Sequence, residues 1–285
     1  MQKIILVAET GSDIPADLAR REGIYLVPMH VTMGEKTLDD GAFPSDEICA
    51  HYDRTGELPK TSGSTPEDFT KIFTQIRAEH PQAEILHLAY SASTTMSYQS
   101  AKVAAKGMEG IVSLDTKHVS AGQAAIVTTL AAFLREHPET TLDQAVQKAQ
   151  ELCRRARMCF VPDDLEYLRA GGRISNVVYY LGGRLLHLHP QVEVLEGNLV
   201  ATKKYRGKLS KVVVELIQDY TRENNLDRAC LWLLYTTGLP QEIQRLAEDT
   251  ARACGFAEIR WLKAQGVITT HGGPSAIAVA GFAQG

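Results

Sequence analysis

The chain has 285 residues and a hydrophobic content of 44%, enough for one large or two medium α/β domains with a substantial buried core. Its 30 basic and 34 acidic residues leave a formal net charge of −4, which provides no broad positive field for nucleic acid. Five cysteines (Cys49, Cys153, Cys159, Cys230 and Cys254) are odd in number and form no CxxC pair, so the expectation is a reducing, cytoplasmic setting without a disulfide framework.

The opening MQKIILVAET has one Lys and a short apolar run, which suits a first buried strand over Ile4 to Ala8 better than a secretory signal. No apolar run approaches the roughly 18 residues of a transmembrane helix. Further strands are predicted over Tyr25 to Val31, Glu84 to Ala89 and Gly110 to Asp115. Helices are predicted from Pro15, capped by Ser12 or Asp13, from Pro66, capped by Thr65, and from about Tyr98. This alternation is the pattern of βα units around a mainly parallel sheet. A buried helix follows over Val119 to Leu134, then a second over Leu142 to Arg157.

The second half begins near residue 158. It is predicted to hold a hairpin, Gln191 to Leu195 and Leu199 to Thr202, turning through Glu196-Gly197-Asn198. Strands Arg228 to Tyr235 and Ala257 to Leu262 and helices from Ser210 and Pro240 complete it. Basic residues thicken at Lys203, Lys204, Arg206, Lys208 and Lys211, which reads either as a dock for an acidic partner or as a solvated helix start.

The common enzyme signatures are absent: no GxSxG elbow, no GxxxxGK[ST] phosphate loop, no HExxH and no GxGxxG. Nine histidines are scattered without metal-ligand spacing, and the pair His187 and His189 is too small to make a metal site. Hydroxyl residues cluster instead. Thr61 and Ser62 follow the Pro59-Lys60 turn and precede a helix, while Ser93, Thr94, Thr95 and Ser97 follow the strand ending at Ala89. Two donor clusters beyond the carboxyl ends of neighbouring strands converge in a doubly wound fold, where they can receive an anion such as a carboxylate. The bland alternative for each is a cap or turn residue. His271 sits among glycines in Thr270-His271-Gly272-Gly273-Pro274-Ser275, positioned by a loop to meet an anion or to satisfy backbone carbonyls. Arg173 follows Gly171-Gly172 close to Asp163, Asp164 and Glu166, where it reads as an anion ligand or, with acids so near, as a brace between domains.

Four segments carry a resemblance: LPKTS (Leu58 to Ser62), SASTTMSYQSA (Ser91 to Ala101), DDLEYLRAGGRIS (Asp163 to Ser175) and THGGPSAIAVA (Thr270 to Ala280). In this order and rough spacing, over essentially the whole chain, they resemble the DegV family of bacterial fatty acid binding proteins. The resemblance implies a two-domain α/β fold: a three-layer N-terminal domain with a parallel sheet over residues 1–158, and a second domain with a mixed sheet over 159–285 that hosts an acyl chain. It implies a non-catalytic, cofactor-free subunit. Such a subunit presents a long-chain fatty acid to the separate ATP-binding subunit of a fatty acid kinase and carries the acyl phosphate, with transient membrane contact. Carried over by motif, Thr61 and Thr95 hold the carboxylate, with Ser62, Ser93, Ser97 and His271 around it. Arg206 falls near the mouth and the kinase-docking face.

The chain departs from the family pattern in four places. It has Thr95-Met96-Ser97-Tyr98 where Ser-Gly-Thr-Tyr or Ser-Gly-Ser-Tyr is usual, Gly63-Ser64 for Gln-Pro, Glu9-Thr10 for Asp-Ser, and Ser275 for a Gly. Met96 in place of Gly raises the expectation of backbone strain and of crowding at the head group. Candidate residues for a tail tunnel are Ile174, Val177, Val178, Leu181, Leu185, Leu186 and Leu188, which equally suit plain core. Two rival readings use the same residues: a hydrolase with Ser93, Ser97 or Thr61 as nucleophile and His271 as base, and a small phosphosugar-binding protein on a similar scaffold. Cavity length separates the last from a lipid carrier.

Overall fold

The computed structural model describes residues 3–172 and 188–285. Arg173, His187 and six of the seven tunnel candidates, Ile174, Val177, Val178, Leu181, Leu185 and Leu186, lie outside the described residues; Leu188 is described. The chain opens with β1 (Ile4–Glu9), buried from Ile5 onward as befits a central parallel strand. A 3-10 turn over Thr10–Ser12 leads to α1 (Ala16–Glu22), which ends on Gly23 in the left-handed region, φ 68°. Neither Ser12 nor Asp13 caps α1; Pro15 holds the N-cap position. The Ser12 hydroxyl donates back to the Glu9 carbonyl at 2.7 Å, and Asp13 is committed to residues far along the chain.

The strand predicted over Tyr25 to Val31 is two strands, β2 (Ile24–Val27) and β3 (His30–Met33). Pro28 lies between them and has no N–H for a ladder, so the chain leaves the first sheet there. β3 pairs antiparallel with β4 (Lys36–Asp39) and, after α2 (Asp46–Thr55), with β5 (Lys60–Ser62), making a small sheet in the order β4-β3-β5. Next comes α3 (Pro66–Glu79). Thr65 and Asp68 form a full capping box at its start, with Pro66 in its first turn. Then follow β6 (Glu84–Ala89), α4 (Ser97–Ala104) and β7 (Ile111–Asp115). The first sheet is parallel throughout, in the order β2-β1-β6-β7. Phe69, Phe73 and Ile76 of α3 and Ala101 of α4 cover one face of it, against Ile5, Val7 and Ile85.

The other face is covered by α5 (Ser120–Glu136) and α6 (Leu142–Arg155). α5 is apolar all round because it is packed on both sides: beyond it lies a second sheet, whose Trp232, Leu234, Ala278 and Ala280 share its core. That sheet begins with β8 (Ala156–Val161), so α6 stops at Arg155 and not at Arg157; tertiary pairing of Arg157 with Gly281 overrides the helical pattern. After α7 (Leu165–Ala170) come β9 (Leu188–Leu195) and β10 (Asn198–Arg206), joined through Glu196 and Gly197 with φ of 47° and 84°. Positive φ at both positions is the hairpin turn that matches strand twist. The remaining elements are α8 (Leu209–Glu223), β11 (Cys230–Tyr235), α9 (Gln241–Ala253), β12 (Glu258–Lys263), α10 (Gly266–Gly272) and β13 (Ile277–Phe282).

Strand order in the second sheet is β10-β9-β8-β13-β11-β12, antiparallel except for the β11–β12 pair. α8 and α9 close its outer face through Val212, Leu216, Ile243 and Ala247. The fold is therefore α/β with one parallel and one mixed sheet. The basic stretch divides: Lys203, Lys204 and Arg206 lie in β10, with Lys203 Nζ held by Asp219 at 2.6 Å and Glu223 at 2.9 Å, while Lys208 is the N-cap of α8 and Lys211 lies in its first turn.

Candidate functional site

Beyond the carboxyl ends of β1 and β6 the loop Tyr90 to Met96 faces β5 and α10 across a cleft of about 350 Å³. Thr61 lies within β5, paired with Val31, and not in a turn leading into α3. Its Oγ1 is 2.8 Å from His271 Nε2 across a sequence separation of 210. His271 is the last residue but one of α10, so a short helix aims it, where the sequence suggested a glycine loop.

The floor under the imidazole is Gly171. A Cβ built there would lie 2.2 Å from His271 Nδ1 and 2.8 Å from Cε1. Gly171 has φ −74°, which any residue adopts, so glycine is required here for space alone. Gly171 thus seats the histidine, a role that no local sequence signal announces.

The second hydroxyl cluster knits itself to the segment after β5. Ser97 Oγ accepts the Ser64 N–H at 3.0 Å and lies 3.0 Å from Thr95 Oγ1, which in turn accepts the Ser97 N–H at 3.1 Å. Gly63 permits the approach, since a Cβ there would meet Thr95 Oγ1 at 2.1 Å. Thr61, Ser62, Thr95 and His271 line the same cleft, and Ser97 is buried behind Thr95. Ser93 stands apart, against the β9–β10 turn, where a Cβ at Gly197 would be 3.0 Å from its hydroxyl and the neighbouring Ser91 donates to the Gly197 carbonyl at 2.7 Å. Arg206 is exposed at the end of β10.

Met96 takes φ −83° and ψ 0°, a conformation that needs no glycine, so the expected strain is absent; its side chain is 70% exposed at the cleft mouth. Tyr90 is fixed from below: its N–H donates to Glu9 Oε2 at 2.8 Å, and Gln123 Nε2 donates to the same oxygen at 3.0 Å. Among the described residues lining the cleft, His271 alone can carry positive charge.

Behind the cleft lies a narrow apolar cavity of about 50 Å³, walled by Met158, Phe160, Leu168, Leu234 and Ile268 among others. Tyr90, Thr94 and His271 line both spaces, so the hydroxyl-lined cleft and the apolar cavity adjoin at these three side chains. Among the described residues no three His, Cys, Asp or Glu side chains gather as a metal site, and no helix is long and apolar enough to cross a membrane. The arrangement can hold an anionic head group against hydroxyls and an imidazole, with an apolar extension leading inward.

The chain is similar to known proteins in sequence and in fold. A DegV domain-containing protein of Caldanaerobacter subterraneus is 29% identical over 286 residues, 98% of each chain. Among solved structures, a fatty-acid-binding DegV family protein from Thermus thermophilus superposes with a TM-score of 0.87 at 25% identity, covering 99% of this chain and 100% of its own. The fatty acid kinase B3 protein of Streptococcus pneumoniae, solved loaded with linoleic acid, superposes with a TM-score of 0.84 at 17% identity, covering 99% and 100%. The family model described as "Uncharacterised protein, DegV family" matches residues 3–284, and with the ordered motifs gathered round one cleft the chain belongs to the DegV family.

Proposed function

We propose that this chain binds a long-chain fatty acid, carboxylate in the hydroxyl-lined cleft and tail in the apolar cavity against the second sheet. It then presents the fatty acid to a separate ATP-binding kinase subunit for conversion to an acyl phosphate. The observation that carries this reading is the junction of a polar cleft and an apolar cavity at Tyr90, Thr94 and His271. Residues 1–158 supply most of the head-group wall in this reading, and 159–285 most of the tail wall. The Thermus thermophilus relative is a fatty-acid-binding protein, which supports the ligand class.

Each methylene buried contributes about 0.8 kcal/mol, so about fourteen give roughly 11 kcal/mol gross, before ordering costs. The tail therefore dominates affinity. A desolvated carboxylate costs several kcal/mol, which hydrogen bonds to a charged group, at about 1.5–3 kcal/mol each, roughly offset. Thr61, Thr95 and His271 would thus set orientation more than strength. A cavity of about 50 Å³ has room for one or two waters, so a tail enters by displacing lining side chains. Met158 and Leu168 are flexible enough for this.

A presenting subunit needs no nucleotide site, since positioning and metal for phosphoryl transfer come from the kinase. The Streptococcus pneumoniae protein, a fatty acid kinase component, supports that division of labour. In this reading Arg206 belongs to the kinase-docking face, and the protein works in the cytoplasm with transient membrane contact.

Denaturing mass spectrometry of the purified protein is expected to release a fatty acid; protein without lipid counts against the reading. Thr61→Ala with Thr95→Ala is expected to weaken lipid retention and acyl phosphate yield without unfolding the chain, and unchanged values remove the head-group assignment. The Thr61–His271 hydrogen bond also has the form of a nucleophile and base. Turnover of p-nitrophenyl esters, or labelling by a serine-reactive phosphonate, would favour the hydrolase.

A further inference from the structure

The helix that carries His271 is held at its opposite end by two buried carboxylates that lipid binding leaves without a role. Asp13, after β1, is 0% exposed and Asp40, after β4, is 3% exposed. Asp13 Oδ1 accepts the Gln265 N–H at 2.7 Å, and Asp40 Oδ1 accepts the Val267 N–H at 3.0 Å. Both bonds run from the first half of the chain to the start of α10. Asp13 is held in turn by Ser120, whose hydroxyl donates to Oδ2 at 2.6 Å. Asp13 and Ser120 have φ of 58° and 47°, so two non-glycine residues occupy the left-handed region at the two ends of one hydrogen bond. Packing is equally close at Gly266, where a Cβ would lie 3.1 Å from Asp40 Oδ1 and 2.6 Å from Phe43.

α10 spans only Gly266–Gly272, and four residues of helix separate Val267 from His271, about 6 Å of rise. A displacement at its first turn is transmitted to the imidazole with little room for attenuation. We propose that Asp13 and Asp40 are positioning residues for His271, and that proton uptake by this pair on acidification loosens the contact between His271 and Thr61.

The groups facing the pair are few. Asp13 and Asp40 face each other, and toward them point the N–H groups of Gln265, Gly266 and Val267, the hydroxyls of Thr10 and Ser120, and the Gly41 N–H. His271 is the one other titratable group on α10, and no Lys or Arg faces the pair among the described residues. Burial raises the Asp40 carboxyl to about 6 and that of Asp13 well above the ordinary range. Once protonated, a carboxyl must place a donor where the carboxylate only accepted, among N–H groups that are themselves donors.

The test uses the full chain with ¹⁵N-labelled histidine, the His271 signals being assigned by their loss in His271→Gln. Nitrogen shifts of the imidazole report its tautomer, which the Thr61 hydrogen bond sets. Asp40→Asn is expected to move the His271 shifts at pH 7.5 in the direction that Thr61→Val moves them, with Asp13→Asn as a second variant should Asp40→Asn fold poorly. A lipid readout rests on the proposed function: oleate transfer to albumin should run about tenfold faster from Asp40→Asn at pH 7.5, with a weaker dependence on pH between 5.5 and 7.5. His271 shifts unchanged in both Asp variants overturn the proposal whatever the lipid data. Shifts that move in protein carrying no lipid uphold the positioning and sink only the lipid reading.

Discussion

Gly171→Ala tests whether Gly171 seats the His271 imidazole. The backbone at 171 accepts alanine at φ −74° and ψ −1°, and helix propensity alone would favour the substitution by about 0.5–1 kcal/mol at this helix end. Sterics oppose it: the new methyl would stand 2.2 Å from Nδ1 and 2.8 Å from Cε1 of His271. Ordinary contact requires about 3.5 Å, so the ring must retreat by roughly 1 Å. Overpacking of this kind costs about 1–3 kcal/mol, and a ring displaced that far loses the 2.8 Å hydrogen bond to Thr61, about 1 kcal/mol more. Net destabilisation of about 1–3.5 kcal/mol is expected in urea denaturation. Lipid dissociation should accelerate by about tenfold, since 1.4 kcal/mol is a factor of ten. A variant slightly more stable than the parent, with unaltered lipid retention, would refute the reasoning at its first step.

Three further outcomes follow from the same geometry. Thr141→Ala breaks the capping box of α6 and should lower stability by about 1 kcal/mol in urea while lipid retention stays at the parent level; a loss of retention would mean that α6 supports the cleft. Ser275→Gly relieves a left-handed serine at φ 58° and should stabilise by about 0.5–1 kcal/mol, whereas destabilisation would show that the Ser275 side chain matters more than its backbone. Asp40 binds its proton more tightly in the folded chain, at about 6 against an ordinary 3.8, so its contribution is present in full below about pH 4 and lost as pH rises through about 6, up to about 3 kcal/mol. Stability of Asp40→Asn should therefore fall less between pH 4 and 6.5 than that of the parent, and parallel curves would contradict the burial argument.

Periodicity revealed the α/β alternation because β1 and β6 are short runs dominated by apolar residues and α3 announces itself with Thr65, Pro66 and an acidic first turn. The small sheet escaped notice for a physical reason: all four residues of β4 are exposed and β5 has three residues, so neither shows an alternation to detect. β13 is Ile-Ala-Val-Ala-Gly-Phe, weak in strand propensity, and owes its conformation to ladders with β8 and β11 on either side. The residues of the cleft were legible as motifs, but the pairing of Thr61 with His271 was not, since 210 residues separate them. Gly63 and Gly171 were opaque in a different way. A glycine kept for clearance has meaning only when the atom that needs the room is known. Asp13 reads in sequence as a helix cap and Asp40 carries no signal of its own, and only burial sets the two apart from surface acids.

β13 lies between β8 and β11 in the middle of the second sheet, yet it is the last of that sheet's strands to leave the ribosome. At a synthesis rate of about 5–20 residues per second, β8 waits on the order of ten seconds for its neighbour, with its pairing edge unfilled. His271 is made just before β13, so a nascent chain lacks both the histidine and the strand that completes the second sheet until β13 emerges. Until then the facing edges of β8 and β11 stand unpaired, the stage of synthesis at which this sheet is most open to pairing with a second copy.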